Sequence, residues 1–312
     1  MQMTKSKPEM KWAGVMPAIT TPFKPDFSVD LEFMRRHCRW LIDNGCTGIV
    51  ALGSLGEGQA LRLPEKRDVL RACVEAAGER VPIIAGVSAL STADAVEIAQ
   101  MAQDEQCSGL MVLPPYVYVG DWREMKSHVG AVLKATDLPC MLYNNPIAYK
   151  VDFIPAHVKE LTAEYPNLRA IKESSADVRR IAALQEQVGA DRLAILVGVD
   201  DLIVEAAAMG AVGWIAGLVN AFPKESVELF RLAQQQPASA FALYQWFLPL
   251  LRMDTVPKFV QLIKLVQEET GMGNGRVRAP RLELTEEEKA ETRAILKKAL
   301  EGRPKDVQSA SA

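Results

Sequence analysis

At 312 residues and 49% apolar side chains, the chain can bury one large core or two ordinary ones, which excludes a disordered or fibrous protein. Its net charge is only -3, with acidic and basic residues interspersed, so no field gathers nucleic acid or an anionic membrane surface, and small molecules are the expected partners. The five cysteines (Cys38, Cys46, Cys73, Cys107, Cys140) are odd in number, lack CxxC spacing and sit among small or apolar neighbours, as reduced core thiols do. Met1 to Met10 carries no apolar leader and no later run reaches membrane-span length, so the cytoplasm is the expected location. His37, His128 and His157 lie far apart, and neither a metal site nor a cofactor is expected.

Short runs rich in Val, Ile, Leu and Ala alternate eight times with longer segments of helical period, each switch marked by Gly, Pro, Asp or Ser. A strand over Gly14 to Thr20 is followed by a helix from Asp30 to Asp43, and one over Gly48 to Gly53 by a helix from Pro64 to Ala77. Val81 to Val87 leads to Ser91 to Gln103, Gly109 to Leu113 to Asp121 to Ala135, and Pro139 to Tyr143 to Pro155 to Glu164. Then come Leu168 to Ile171 with Asp177 to Gln187, Leu193 to Gly198 with Asp200 to Met209, and Gly213 to Gly217 with Pro223 to Gln235. Apolar strands without alternation imply burial on both faces, and intervening helices imply parallel neighbours joined by right-handed crossovers. Eight such units predict an α/β fold, a (β/α)8 TIM barrel over residues 1–236. The alternative, an open doubly wound sheet, lacks the GxGxxG turn it would use. Helical patterns over Ala238 to Leu251, Thr255 to Glu269 and Thr285 to Leu300 predict a three-helix appendage over 237–302, and 303–312 reads as a frayed polar tail.

In such a barrel the chemistry gathers at the carboxyl ends of the strands, so those ends are where to look. The sixth strand ends on Lys172, where an amine withdrawn from water is more readily held in its neutral, nucleophilic form, as an imine-forming lysine requires. The second leads into Gly53-Ser54-Leu55-Gly56-Glu57, a turn able to offer backbone N-H groups and a hydroxyl to a carboxylate. The fourth leads to Pro114-Pro115-Tyr116, and the fifth ends Tyr143-Asn144-Asn145-Pro146, each aiming a phenol. Gly198 and Asn220 close the seventh and eighth, and Asn220 stands at even odds of touching substrate. One lysine, two phenols, a hydroxyl and several dipoles at one barrel end are what imine chemistry on a 2-oxo acid needs. Asp200 and Asp201 read as helix N-caps rather than as an acid pair, Glu173 as lying outside the site because strand neighbours face opposite ways, and Trp214 as barrel packing.

These motifs, from Pro17-Ala18-Ile19-Thr20-Thr21-Pro22-Phe23 through the glycine turn, the Tyr143 and Lys172 segments and the C-terminal helices, resemble the dihydrodipicolinate synthase / N-acetylneuraminate lyase family of class I aldolases. The resemblance implies a barrel with a C-terminal helical domain, commonly a homotetramer built as a dimer of dimers. It also implies Lys172 as the imine-forming residue, Tyr143 as the proton-shuttling phenol, Ser54 as the hydroxyl of the glycine turn, and Tyr116 as a tyrosine reaching a neighbouring subunit's site. Two positions depart from the synthases. Ala148 stands where they carry an arginine for a second carboxylate, and Leu55 stands where threonine is usual. The segments Ala51 to Glu57, Leu113 to Tyr118 and Gly213 to Asn220 are similar to a subgroup of hydroxyproline catabolism, the 1-pyrroline-4-hydroxy-2-carboxylate deaminases, which release 2-oxoglutarate semialdehyde and ammonia. The expected substrate is therefore a small 2-oxo acid or cyclic imino acid, contacted by Gly53, Leu55, Asn144, Gly198 and Asn220. Rival readings are a pyruvate-dependent aldolase or dihydrodipicolinate synthase, a non-catalytic sensor, and a metal-dependent aldolase, for which ligands are wanting.

Overall fold

In the computed structural model, which describes residues 8–115 and 118–304, eight parallel strands form one sheet in the order β1-β8-β7-β6-β5-β4-β3-β2. The strands are β1 Gly14–Pro17, β2 Ile49–Ala51, β3 Ile83–Val87, β4 Gly109–Val112, β5 Cys140–Asn144, β6 Leu168–Glu173, β7 Ala194–Val197 and β8 Gly213–Ala216. The ring closes between its end strands. Ala18 bridges Val50 in parallel, and Ile19 N-H donates to the Val50 carbonyl at 2.9 Å. Almost every strand residue is buried, because each faces either the barrel interior or the helical layer, which accounts for the missing polar alternation in the sequence.

The helices between strands are α1 Leu31–Asp43, α2 Leu63–Ala77, α3 Thr92–Asp104, α4 Trp122–Lys134, α5 Pro146–Tyr149, α6 Pro155–Glu164, α7 Arg179–Val188, α8 Ile203–Ala208 and α9 Pro223–Gln235. Several starts obey the capping chemistry in the sequence. The Asp30 carboxylate accepts from Phe33 N at 3.0 Å, and Asp121 with Glu124 forms a reciprocal capping box on α4. Beyond the barrel come α10 Pro237–Leu251, α11 Phe259–Glu269 and α12 Glu286–Glu301. Helix α10 lies on α8 and α9, and α12 packs across α10 and α11. No helix among the described residues is long and apolar enough to cross a membrane. The five cysteines are buried and unbridged.

The structure departs from expectation where local signals were overridden. Helix α8 begins at Ile203, because Asp200–Leu202 forms a 3-10 turn and the Asp200 carboxylate caps no helix. It turns inward to donors on β8 and the turn after it, which are unseen in a linear reading. Helix α11 begins at Phe259 rather than Thr255, since Arg252–Thr255 continues from α10 as a 3-10 turn and Val256 is extended before Pro257. Helix α5 is a four-residue turn with Pro146 at its start, too short to show a period.

Candidate active site

Strand β6 runs further than its apolar pattern suggests. Ser174 N donates to the Asn144 carbonyl at 2.8 Å and Gly198 N to the Glu173 carbonyl at 3.0 Å, so neighbouring chain holds both flanks of Lys172. The lysine is 6% exposed. Tyr143 is its register partner on β5, and the lysine nitrogen stands 4.2 Å from the centre of the Tyr143 ring. An amine over a phenol face is attracted by the ring's quadrupole while charged, and lies beside a group that can carry its protons. At Gly198 a β carbon would fall 2.2 Å from Lys172 Cε and 2.2 Å from Ser174 Oγ, so only glycine leaves the lysine this place.

The Tyr143 hydroxyl accepts from Asn145 Nδ2 at 3.1 Å. Tyr149, the last residue of α5, meets the Tyr143 ring edge-on, with centroids 5.7 Å apart and planes at 85°. Its hydroxyl is hydrogen-bonded to Ser54 Oγ, so the glycine turn and the end of β5 are joined by polar contact. The turn itself is anchored from behind. Glu57, wholly buried in a left-handed conformation, accepts from Lys264 Nζ of α11 at 2.6 Å and from Arg278 N at 2.9 Å. Burial pushes the Lys264 amine down to about 8 against the pull of Glu57, and the same nitrogen donates to the Arg276 carbonyl at 2.6 Å.

Two carboxyl groups stand beyond the ends of β7 and β8, both against Gly217. Asp200 is fully buried and accepts from Trp214 Nε1 at 3.0 Å, from Gly217 N at 3.1 Å and from Leu218 N at 2.9 Å. Burial pushes its carboxyl up to about 6, although those donors and the Lys172 charge pull the other way. Asp254, in the 3-10 turn after α10, packs so closely on Gly217 that a β carbon there would meet its Oδ1 at 2.1 Å. Burial and the Asp200 charge push the Asp254 carboxyl well above the usual carboxylate range, again opposed by Lys172.

The structure brings together Lys172, Tyr143, Ser54 and Gly198, and adds Tyr149, Asp200 and Asp254. Tyr116 lies outside the described residues. Gly53 belongs to the turn's backbone lattice, its carbonyl accepting from Gly58 N at 3.2 Å, and Leu55 is packed in the continuous apolar core. Two expected contact residues are otherwise engaged. Asn144 faces the helical layer, donating to Glu173 at 3.0 Å and accepting from Phe153 N at 2.9 Å, because it neighbours Tyr143 on a strand and so points the opposite way. Asn220 donates to the Ala18 and Gly217 carbonyls at 2.8 and 2.9 Å and meets His37 Nε2 at 3.2 Å, which ties the end of β8 to β1 and α1. Glu173 shares the layer of Asn144, where burial raises its carboxyl, and Trp214 is wholly buried, as its bulk suggested. Asp200 is the reading that fails: it is a buried acid near the lysine and not an N-cap.

A fold does not by itself fix an activity, and comparison with known proteins narrows the choice. Residues 11–299 match the Dihydrodipicolinate synthetase family. The chain belongs to that family. The 4-hydroxy-tetrahydrodipicolinate synthase of Methanococcus maripaludis is 31% identical over 277 residues, 88% of this chain and 94% of the relative. Among solved structures, the 4-hydroxy-tetrahydrodipicolinate synthase of Methylacidiphilum fumariolicum superposes with a TM-score of 0.91 at 28% identity, covering 96% of this chain and 99% of that one. The dihydrodipicolinate synthase of Acinetobacter baumannii, solved with pyruvate, gives a TM-score of 0.88 at 29% identity over 93% and 99% of the two chains. The protein is thus a lyase of the dihydrodipicolinate synthetase family on a TIM barrel.

Proposed function

We propose that the protein deaminates and dehydrates 1-pyrroline-4-hydroxy-2-carboxylate to 2-oxoglutarate semialdehyde and ammonia through an imine on Lys172. The single observation that carries the imine chemistry is the buried Lys172 amine, 4.2 Å from the centre of the Tyr143 ring at the carboxyl end of the barrel. Lys172 adds to the C2 carbon of the cyclic imine, and the ring C2-N bond breaks as its nitrogen takes a proton, leaving an open-chain acid held as a Lys172 imine. Loss of a C3 proton gives an enamine, which expels the C4 hydroxyl as water. The unsaturated imine then isomerises, losing a proton from C5 and one from its amine and gaining protons at C4 and C3, so that the C5 amine becomes an imine; hydrolysis there releases ammonia and leaves the aldehyde, and a second hydrolysis frees Lys172, so that one water is consumed overall. Tyr143 moves the protons at the ring nitrogen and at C3, and the hydroxyls of Ser54 and Tyr149 extend the path toward the glycine turn. The reading extends to assembly as a dimer of dimers, which light scattering on the purified protein tests.

A second reading rests on the relatives, several of which are named 4-hydroxy-tetrahydrodipicolinate synthase. Against it stands Ala148, at the position matched to the arginine that clamps a second carboxylate, an interaction that no small side chain replaces. Parallel assays separate the two. Enzyme with the hydroxylated pyrroline should yield ammonia and semialdehyde in equal amounts; consumption of pyruvate and aspartate semialdehyde, with no ammonia from the pyrroline, would assign the synthase activity instead.

A further inference from the structure

Behind Tyr143 and Lys172 the barrel wall carries a second pair, one residue further along each strand. Tyr143 with Lys172 and Asn144 with Glu173 are successive register partners, so the first pair faces the barrel interior and the second the helical layer. Glu173 is 4% exposed, and each of its oxygens meets a donor: Oε1 accepts from Ser175 N at 2.6 Å and Oε2 from Asn144 Nδ2 at 3.0 Å. Asn144 is wholly buried and held on three sides. Its Oδ1 accepts from Phe153 N at 2.9 Å, which fixes the orientation of the amide, and its Nδ2 also donates to Asp152 Oδ1 at 3.3 Å. Asp152 is clamped in turn by two Arg180 nitrogens, at 2.9 and 2.7 Å. Enclosing a carboxyl between a sheet and its helices is unfavourable, and an apolar pair of similar volume would serve stability as well or better. What a buried polar pair does supply is register. Register needs fixing here, because the β5 to β6 ladder shifts between Cys140 and Met141, and the pairing before that shift does not carry through to Tyr143.

We propose that Asn144 and Glu173 are positioning residues: their hydrogen bond on the outer face of the wall pins β5 to β6 where Tyr143 and Lys172 stand opposite each other, and so holds the phenol beside the amine. The inference deepens the reading above and rests on its Lys172 imine, whichever substrate that imine takes. Neither residue faces the barrel interior; both act through their neighbours. The 4.2 Å between the Lys172 nitrogen and the Tyr143 ring is a cross-strand distance, and a misplacement of about 1 Å between reacting groups can cost about a hundredfold in rate. Asn145, which follows Asn144, donates to the Tyr143 hydroxyl at 3.1 Å, so a shift of Asn144 also carries the phenol's own anchor with it. Glutamine at position 173 would keep the volume but offer an acceptor to one of the two donors and an amide N-H to the other.

Timed trapping with borohydride reads the pair without requiring turnover. Purified full-length protein is mixed with pyruvate or with the hydroxylated pyrroline, quenched at intervals with excess borohydride, and the adduct on Lys172 quantified by mass spectrometry. Glu173→Gln should slow adduct formation by about tenfold to a hundredfold, with the far-ultraviolet circular dichroism of the parent and the final yield of adduct retained. Glu173→Met, close in volume and without a carboxyl, should slow it likewise and covers the case in which the glutamine variant fails to fold. A double-mutant cycle separates positioning from general loosening of the wall. If the pair acts through the phenol, adding Glu173→Gln to Tyr143→Phe should cost about twofold or less, whereas independent effects multiply. Rates within about threefold of the parent in both variants, full multiplication in the cycle, or loss of the parental fold in both variants overturns the positioning role. A parent that forms no adduct with either compound overturns the Lys172 imine itself, and this inference with it.

Discussion

Replacing Glu57 by glutamine should show how strongly the C-terminal helices hold the glycine turn of the site. Glu57 and Lys264 are almost wholly enclosed, 2.6 Å apart, with Lys264 also over the Phe23 ring and bonded to the Arg276 carbonyl. An amide at position 57 keeps the shape but leaves a buried ammonium without its counter-ion, a loss of about 3–5 kcal/mol when one partner of an enclosed pair is removed. The protein can limit that loss by shedding the proton. For an amine with an ordinary value of 10.5, neutralisation at pH 7 costs about 5 kcal/mol, which sets the upper bound. Against a total stability of about 5–15 kcal/mol the change is severe. Urea unfolding followed by tryptophan fluorescence should show the midpoint falling sharply, and the double variant Glu57→Gln/Lys264→Met should recover part of it by removing the stranded charge. Turnover should fall as well, because Glu57 N donates to the Ser54 carbonyl within the same turn. A single Glu57→Gln variant within about 1 kcal/mol of the parent would refute the view that this pair anchors the site.

Lys172→Ala should abolish both borohydride-trapped adduct and ammonia release while the far-ultraviolet circular dichroism stays that of the parent. Tyr143→Phe should lower kcat by about 10²–10⁴, the range for a lost proton-transfer group, with trapping of preformed imine retained. Tyr149→Phe removes one hydrogen bond to Ser54 and should cost about tenfold in kcat, roughly 1.4 kcal/mol, with KM little altered. Asp200 tests the pH dependence. Its carboxyl stands at about 6 in the fold against 3.8 in the free side chain, so the folded state binds the extra proton between these values, and the stability this group contributes is present in acid and lost as pH rises through 6, by about 3 kcal/mol. The difference in melting temperature between the parent and Asp200→Asn should therefore shift in the parent's favour as pH falls from about 7 to 4; a gap independent of pH would contradict the burial.

The barrel was legible because its signal is redundant. Eight apolar runs of strand length, each followed by a helical period, leave few topologies, and Lys172 and Tyr143 become conspicuous once strand ends are known to face one another. What failed to show was everything decided across the chain rather than along it. Asp200 looks like a cap because aspartate after a strand often is one, yet the Trp214 indole and the Gly217 and Leu218 amides outbid a local helix start. Asn144 and Asn220 look like site residues because they end strands, yet the alternation that aims Tyr143 inward sends Asn144 outward, and Asn220 is spent joining β8 to β1. Tyr149 had no signal of its own, because only the four-residue helix α5 shows which way its ring turns. Asp254 had no signal at all. It follows a helix outside the eight repeats and becomes chemically meaningful only because Gly217 has no side chain to keep it from the strand end. The appended helices thus reach this end of the barrel as the strands do, through Lys264 behind the glycine turn and Asp254 against Gly217.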